Sequence, residues 1–409
     1  MSGGEALRRD VEGGVLAGSF DARFEPVVDE FVRNFHARGE VGASLCLTLD
    51  GETVVDVWGG VADPASGAPW ERDTLVVVHS CTKAATALCA HVLAARGELD
   101  LEAPVSTYWP EFARGGKEAA TVRTMLDHSV GVPVLREPLA PGELYDWDRM
   151  VARLEAEPAF WEPGTRHGYH MINFGWTVGE LVRRASGRSL GEFFRSAIAE
   201  PLGLDVWIGL PAEHEPRVAP VIPFRREKGS PLSAFELAVV SDRTSIPSLA
   251  IANISAMATN TREAHAAEIG GGGGIAGARG LAGMFAPLAV GGGSLLDRDA
   301  VDRMRRVSSA TNRDATLRIA TRFAMGFMVS IDNRARPDRD SVILGEQAFG
   351  HVGAGGSIGF ADPAIGLSFG YAMNRMGPGI LLNERGQSLV DATYRVLGHR
   401  SDASGSWVA

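Results

Sequence analysis

Val76-Val77-Val78-His79-Ser80-Cys81-Thr82-Lys83 is the stretch of this 409-residue chain that decides the fold assignment. The run that follows it, Ala84 to Ala90, is rich in alanine and favours a helix. If Ser80 opens that helix, Ser80 and Lys83 stand three residues apart and point to one face. The spacing therefore predicts that the lysine amine reaches the serine hydroxyl and activates it.

The residue type at position 83 supports this interpretation. Only three of the forty basic residues are lysines, namely Lys83, Lys117 and Lys228. A partly buried lysine can lose its proton and act as a base, whereas an arginine stays charged. The positive end of the helix dipole also favours negative charge developing near Ser80. Because a lone Ser-x-x-Lys is common, an ordinary exposed helix start is the alternative.

A second candidate element is Trp161 to His170, in which Pro163-Gly164 marks a turn and Tyr169 follows on a loop. The chain has only five tyrosines. A phenol near a cationic lysine has its ionised form favoured, so Tyr169 could share in moving the serine proton. The alternative is a packed aromatic ring with a solvated hydroxyl.

A third element is Phe349 to Ser357, in which glycines alternate with His351, Val352 and Ala354. Glycine inside a strand weakens packing and usually permits close approach by another backbone or a ligand. Backbone N–H groups on such an edge can face an oxyanion, and His351 could contact the substrate or Tyr169. A purely structural histidine is the alternative.

Bulk properties exclude several classes of protein. The formal net charge is −10, so no basic surface for nucleic acid or anionic lipid is expected. No apolar stretch resembles a signal peptide or a membrane span, and a cytoplasmic location is the expectation. Cys46, Cys81 and Cys89 lack the spacing of a zinc site or disulfide framework and are interpreted as reduced thiols. Neither a metal nor another cofactor is expected.

Elements of regular structure cluster at both ends of the chain. Residues 22–37 have helical spacing, and two strands at 43–49 and 53–58 are joined by Asp50-Gly51, a dipeptide that favours a tight hairpin. Apolar runs at 324–331, 348–354 and 366–372 predict further strands before a helix at 387–397. The middle of the chain is mostly helical, with predicted helices at 80–96, 150–155, 174–185 and 190–198.

These elements predict an α/β protein of the α+β type, in which one antiparallel sheet is assembled from both chain ends and flanked by terminal helices. We expect residues 20–79 and 310–400 in the sheet region and 80–309 in an inserted, mostly helical region. Residues 1–19 and 401–409 are expected to be tails. The glycine-rich segment 270–293 is interpreted as a flexible loop that leads into a small-residue helix at 276–288.

The three motifs together resemble those of the β-lactamase-like serine hydrolases, and most closely the family VIII carboxylesterases. The order of Ser-x-x-Lys, a Tyr motif after Pro-Gly-Thr, and a His-x-Gly strand near the C-terminus carries the resemblance. Flanking stretches are also similar, and the resemblance runs from about residue 20 to 398. These stretches are Gly97 to Val105, Glu200 to Asp205, Gly359 to Pro363 and Gly370 to Arg375.

The resemblance implies a nucleophile at Ser80 and a proton-transfer pair of Lys83 and Tyr169. It implies an oxyanion hole formed by the N–H groups of Ser80 and Ala354. It further implies an acyl-enzyme that water hydrolyses. The residues expected to contact the substrate are His351, Gly353, Met171 and His170.

Two departures from the lactamase pattern favour neutral esters over β-lactams. Met171 stands where lactamases have asparagine, and His351 where they usually have lysine. The predicted function is thus a serine esterase for small or secondary-metabolite carboxylic esters. An acyltransferase that uses the same acyl-enzyme, a weak β-lactamase or D-aminopeptidase-like amide hydrolase, and a non-catalytic binding protein are the alternatives. Oligomeric state is left open.

Overall fold

The computed structural model describes residues 5–11, 13–336, 339–401 and 405–409. The strands are β1 (Glu5–Val11), β2 (Gly14–Phe20), β3 (Gly42–Leu49), β4 (Glu52–Asp63), β5 (Ala68–Pro69), β6 (Val76–Val77), β7 (Val206–Trp207), β8 (Ile275–Ala276), β9 (Ser309–Thr311), β10 (Thr321–Phe323), β11 (Met328–Val329), β12 (Phe349–Val352), β13 (Ile358–Asp362), β14 (Leu367–Met373), β15 (Arg400–Ser401) and β16 (Trp407–Val408). The α-helices are α1 (Glu25–Ala37), α2 (Thr82–Ala95), α3 (Val122–Leu126), α4 (Trp147–Ala156), α5 (Phe174–Ser186), α6 (Leu190–Phe194), α7 (Ala234–Ser241), α8 (Ile246–Ile254), α9 (Arg262–Ala266), α10 (Ala278–Ala289), α11 (Arg298–Arg305) and α12 (Glu384–Val396).

One large antiparallel sheet joins the two ends of the chain, as the sequence predicts. Its order is β1-β2-β4-β3-β14-β13-β12-β11-β10-β9, with β5 beside β4. The junction between the ends is the β3–β14 pair, in which Leu45 faces Tyr371. The Asp50-Gly51 turn connects β3 and β4, and both of its residues have positive φ.

The sheet separates two hydrophobic cores. On one face, residues of α1 and α12 such as Phe31 and Leu389 pack against sheet residues such as Phe369. On the other face, α10 contributes Leu281 and Phe285 to a core that continues into the helical region and also contains Phe349, Ala361 and Ala372. This second core therefore connects the sheet to the helices around Ser80.

Both segments expected to be tails form strands, so that part of the sequence prediction is wrong. β1 and β2 add two strands to the sheet and bury Leu7 and Leu16 in its core. At the other end, β15 and β16 pair, and Trp407 stacks on Tyr394 with ring centroids 5.7 Å apart. Short alternating segments with few apolar residues gave too weak a signal for strands to be predicted.

Helix α10 also differs from its predicted placement in the helical region. It forms as predicted, but Ala278 and Ala282 pack against Cys46 of β3, so it covers the sheet. Its small residues permit that close packing. The same region contains a small sheet of order β6-β8-β7 directly before the Ser80 turn. The domain limits themselves stay a prediction.

None of the helices in the described ranges is both long and apolar enough to cross a membrane.

Candidate active site

Ser80 lies in a tight turn between β6 and α2. The turn is a 3-10 helix over His79–Cys81, and α2 begins at Thr82, so the prediction that Ser80 opens the α-helix is wrong. His79 has a φ of 47°, a conformation that is uncommon outside glycine and that redirects the chain before Ser80. The Cys81 N–H donates to the Val78 carbonyl at 3.2 Å and closes the turn. The serine hydroxyl is thus presented on a sharply bent, partly exposed turn.

Lys83 is fully buried beside this hydroxyl, as the spacing predicts. Its Nζ lies 3.1 Å from Ser80 Oγ, 2.6 Å from the Met171 carbonyl oxygen and 2.5 Å from the Gly271 carbonyl oxygen. Burial lowers the pKa of Lys83 well below its usual value. No carboxylate among the described residues forms an ion pair with it to oppose this shift. The structure therefore favours a neutral amine at this position.

The five-glycine run at 270–274 is buried, which corrects the interpretation as a flexible loop. A Cβ at Gly271 would stand 2.3 Å from the Ile172 carbonyl oxygen, so a larger residue does not fit. Gly274 donates its N–H to Thr82 Oγ1 at 2.8 Å. The backbone of this run packs against α2. Its Gly271 carbonyl oxygen is a hydrogen-bond acceptor for Lys83 that sequence analysis missed. Five consecutive small residues were the available signal for such a close approach.

Tyr169 lies on the loop before α5, where the sequence placed it. The Lys83 Nζ lies 4.8 Å from the centre of the Tyr169 ring, and the ring packs between Phe323 and His128. Burial raises the pKa of Tyr169, and the neighbouring Ser80 hydroxyl lowers it only in part. The expected preference for the ionised phenol is therefore wrong, because the nearby amine is itself driven towards neutrality.

The third motif lies directly against the Ser80 turn. A Cβ at Gly353 would stand 2.3 Å from the Val78 carbonyl oxygen, so glycine is required for the approach. The Cys81 thiol donates to the His351 carbonyl oxygen at 3.3 Å. Ala354 follows at the exposed end of this strand. In the described structure, neither the Ser80 nor the Ala354 N–H finds a hydrogen-bond acceptor, as an oxyanion hole requires.

His351 is buried beneath the same strand. Its Nδ1 lies 2.7 Å from the Val352 carbonyl oxygen, and its ring centre lies 6.0 Å from that of Tyr169. Burial, together with the nearby Lys83, lowers the pKa of His351 to about 3. The buried Nε2 has no partner among the described residues. His351 is therefore a neutral side chain at the border of the site, with one ring nitrogen that makes no hydrogen bond.

The remaining two predicted site residues occupy different places. Met171 contributes its carbonyl oxygen to Lys83, and its half-buried side chain packs against the cluster that includes Tyr169. His170 is fully buried, with Nδ1 2.8 Å from the Gly168 carbonyl oxygen and its ring against His128. This position supports the Tyr169 loop and does not favour the substrate contact predicted for His170.

A cavity of about 690 Å³ lies elsewhere, between β3, β4 and α10. It is lined by Asp56, Trp58 and Arg279 among others, and by none of Ser80, Lys83 or Tyr169. Asp56 and Arg279 form an ion pair there with a shortest separation of 2.8 Å. Within the described ranges, no group of three or more acidic, histidine or cysteine side chains is arranged to hold a metal ion.

Comparison with known proteins identifies the class. The Beta-lactamase family model matches residues 28–391, and the chain belongs to that family. The esterase/beta-lactamase LipL of Mycobacterium tuberculosis is 35% identical over 370 residues, which cover 88% of this chain and 83% of that protein.

Two solved structures carry the identification further. The crystal structure of a family VIII carboxylesterase is 37% identical, with a TM-score of 0.81 over 93% of this chain and 99% of the other. The structure of EstA from Arthrobacter nitroguajacolicus is 30% identical, with a TM-score of 0.79 over 93% and 98%. The chain is thus a serine hydrolase with the β-lactamase fold, of the carboxylesterase type.

Proposed function

We propose that the protein hydrolyses carboxylic esters through an acyl-enzyme on Ser80. The observation that carries this proposal is the set of contacts made by Lys83. A neutral amine has two N–H groups and one lone pair, and two carbonyl oxygens, those of Met171 and Gly271, lie within 2.6 Å of Nζ. With both N–H groups donated to these carbonyls, the lone pair is left for the O–H of Ser80 at 3.1 Å. Lys83 is therefore held as a base.

The steps of acylation follow from this arrangement. Ser80 Oγ attacks the ester carbonyl carbon while its proton passes to Lys83 Nζ. The N–H groups of Ser80 and Ala354 stabilise the oxyanion of the tetrahedral intermediate. The intermediate collapses, the bond to the leaving alcohol breaks, and that oxygen receives a proton. Water then attacks the acyl-enzyme by the same route and releases the acid.

Tyr169 acts as the general acid, and Lys83 acts as the general base. Its phenol stays protonated because burial raises its pKa more than the neighbouring Ser80 hydroxyl lowers it. A protonated hydroxyl beside Ser80 is suited to donate to the leaving oxygen. Lys83, protonated in the first step, returns the proton to Tyr169.

Neutral esters fit the site better than β-lactams. The position taken by asparagine in lactamases is Met171, whose half-buried, apolar side chain offers no amide to a β-lactam. His351, which replaces a lysine, is neutral and buried, so it offers no charge to a lactam carboxylate. The relative LipL is named both esterase and beta-lactamase, which makes lactam hydrolysis the comparison to measure. Turnover of p-nitrophenyl acetate should exceed that of a chromogenic cephalosporin.

An apolar hairpin beside the site supports esters with a hydrocarbon portion. Five of the seven exposed large apolar residues of the described chain lie between positions 224 and 251, in and before α7 and α8: Phe224, Leu232, Leu237, Val240 and Ile251.

One end of this hairpin attaches to a segment that borders Ser80, and the other attaches to the loop at Leu135. At the first end, Ile222 hydrogen-bonds with the backbone of Met376, and the next residue, Gly377, donates to the carbonyl oxygen of Gly355 beside Ala354. At the second end, the Asn253 amide pairs with the backbone of Leu135. A series of p-nitrophenyl esters checks the idea: Val240→Ser should lower kcat/KM more for octanoate than for acetate, whereas Val307→Ser, in an exposed position outside the hairpin, should not. Equal effects would remove the hairpin from the substrate site.

Ser80→Ala tests the proposed function itself. The variant should lose esterase activity by a factor of about 10³ or more, while Ser106→Ala, at an exposed position outside the hairpin, retains it. Equal rates for the wild type and Ser80→Ala would overturn the proposal. A wild type without activity on any activated ester would do the same.

Acyl transfer is a second candidate function. Monacolin J acid methylbutanoyltransferase of Aspergillus terreus is 30% identical over 160 residues, or 33% of this chain. Both activities share the acyl-enzyme, so they differ only in the group that attacks it. Adding short alcohols during turnover distinguishes them, because a transferase diverts product from acid to the new ester.

We also propose that the protein is located in the cytoplasm. The three cysteines of the chain are free and buried, which fits a reducing compartment. The net charge of −10 supports the absence of nucleic acid or anionic membrane as a partner. Cell fractionation and light scattering would test the location and the oligomeric state.

A further inference from the structure

A buried carboxylate lies behind Tyr169 on a distant segment of the chain. Asp314 is fully buried, and its two oxygens lie 3.0 and 3.1 Å from the Tyr169 backbone nitrogen. The same carboxylate accepts the N–H groups of Thr316 and Leu317, both at 2.8 Å. These bonds fix the loop that follows β9 against the loop that carries the phenol.

A histidine and a threonine hold Asp314 from its other side. His167 Nε2 lies 3.1 Å from Asp314 Oδ2, and Thr321 Oγ1 donates to that oxygen at 3.0 Å. The same threonine hydroxyl lies 3.1 Å from His167 Nε2. All three side chains are buried. The carboxylate is thereby surrounded by donors on both oxygens, a geometry that fixes its orientation.

We propose that Asp314, held by His167, is a positioning residue that sets where the Tyr169 phenol stands relative to Ser80. This proposal rests on the proposed function, since it concerns the acid of that reaction. It makes Asp314 a residue that acts through Tyr169 without touching the substrate.

The contacts at the phenol oxygen do not by themselves fix this side chain. Tyr169 Oη makes no hydrogen bond of normal geometry in the described residues, and the neighbouring Ser80 hydroxyl lowers its pKa in part. The ring is confined by packing against Phe323 and His128, whose centroids lie 5.6 and 4.9 Å away. Along the backbone, Asp314 holds the Tyr169 N–H, while the N–H groups of Gly168 and His170 bond to His128. A displacement of about 1 Å at a reacting group can cost roughly 100-fold in rate.

The charge of Asp314 has a second effect on the phenol. Burial is the main cause that raises the pKa of Tyr169, and the Asp314 anion raises it further. Both effects keep the phenol protonated and able to donate. The titratable or hydroxyl groups that also face it are Ser80, Cys81, Lys83, His128 and His351.

Asp314→Asn tests the proposal in the full-length protein with p-nitrophenyl acetate. In this variant an NH2 group replaces one carboxylate oxygen of Asp314. It cannot accept a hydrogen bond, and it repels the N–H groups that the oxygen bound. We expect kcat to fall by about 10- to 100-fold, with KM changed less than about threefold. The fall in kcat at a nearly constant KM is the result that a merely structural role of Asp314 would not give.

Asp362→Asn is the matched control for simple loss of a buried carboxyl group. Asp362 is also buried and accepts from a backbone N–H, that of Ala364, and from the hydroxyl of Tyr394. This control should lower the free energy of unfolding and leave kcat unchanged. His167→Gln, which retains a donor for Asp314, should keep more activity than His167→Leu.

Wild-type kcat in Asp314→Asn would overturn the proposal, as would a loss matched by Asp362→Asn. If Asp314→Asn does not fold, Thr321→Val decides, because it removes one donor to the carboxylate. A smaller fall in kcat with KM unchanged supports the proposal, and a wild-type kcat refutes it. Acetylation of Ser80 in the wild type, measured in parallel, separates failure of this inference from failure of the proposed function.

Discussion

Lys83 and Lys117 are both fully buried, in a chain that has only three lysines. Lys83 Nζ lies 4.8 Å from the centre of the Tyr169 ring, and Lys117 Nζ lies 4.9 Å from the centre of the Phe112 ring. Each also contacts backbone carbonyls. Burial of a lysine under an aromatic ring is therefore not specific to the active site.

The two sites differ in the third contact and in the surrounding charge. Lys117 Nζ binds three carbonyl oxygens at the C-terminal end of α4, those of Leu154, Glu155 and Glu157. Burial lowers the pKa of Lys117 to about 8, although nearby Glu157 opposes the shift. A charged ammonium with three donors satisfies these acceptors and caps the helix. Lys83 differs from Lys117 in its third contact, which is the hydroxyl of Ser80 and not a carbonyl oxygen.

The largest effect is expected when each lysine is exchanged for methionine. One exchange should lower activity, and the other should lower stability. Lys83→Met should lower kcat/KM for p-nitrophenyl acetate by at least about 100-fold, because the base is lost. Lys117→Met should leave kcat/KM within about twofold but lower the free energy of unfolding by about 1–3 kcal/mol, since buried carbonyls lose their donor. Kinetics and urea denaturation of both variants measure this. A severe loss of activity in Lys117→Met would break the comparison.

Two buried tyrosines extend the comparison with a smaller expected effect. Tyr169→Phe removes a hydroxyl that has no partner among the described residues, so activity should fall about 10- to 100-fold while stability is unchanged or higher. Tyr371→Phe removes the hydroxyl that donates to Glu40 and should lower stability with kcat retained. Thermal unfolding and initial rates distinguish them. Reduced stability in Tyr169→Phe would indicate a structural hydroxyl.

Acid sensitivity gives the smallest expected effect. Burial lowers the pKa of His79 beside the nucleophile and of His91 on α2 to about 4. Below pH 6.5 the unfolded chain binds protons that the native state does not, so each histidine reduces stability by up to about 1.4 kcal/mol per pH unit down to about pH 4. His91→Gln, which keeps a donor for the Met325 carbonyl, should reduce this slope. Exposed His36→Gln is the control in denaturation at pH 7 and pH 5.

The sequence was sufficient for the sheet and the three motifs because those signals are local. The Asp50-Gly51 hairpin, the Ser80–Lys83 spacing and the glycines around His351 each act within a few residues. The joining of β3 to β14 followed from strands that cluster at both chain ends.

Other features depend on contacts between distant segments, which local patterns do not contain. Gly271 reaches Lys83 across 188 positions, and Asp314 reaches Tyr169 across 145. The protonated state of Tyr169 depends on burial, which the sequence does not specify for one loop residue. The turn at Ser80 follows the positive φ of His79, a conformation that histidine adopts more often than most residues but that one residue in a sequence does not specify.

The most direct test of the account is the site of acylation. Wild-type protein mixed with p-nitrophenyl acetate and quenched with acid during turnover should gain one acetyl group, mapped by peptide mass spectrometry to Ser80. Lys83→Met should gain it far more slowly, and Lys117→Met at the wild-type rate. Turnover with Ser80 unmodified and the acetyl group on another residue would contradict the account.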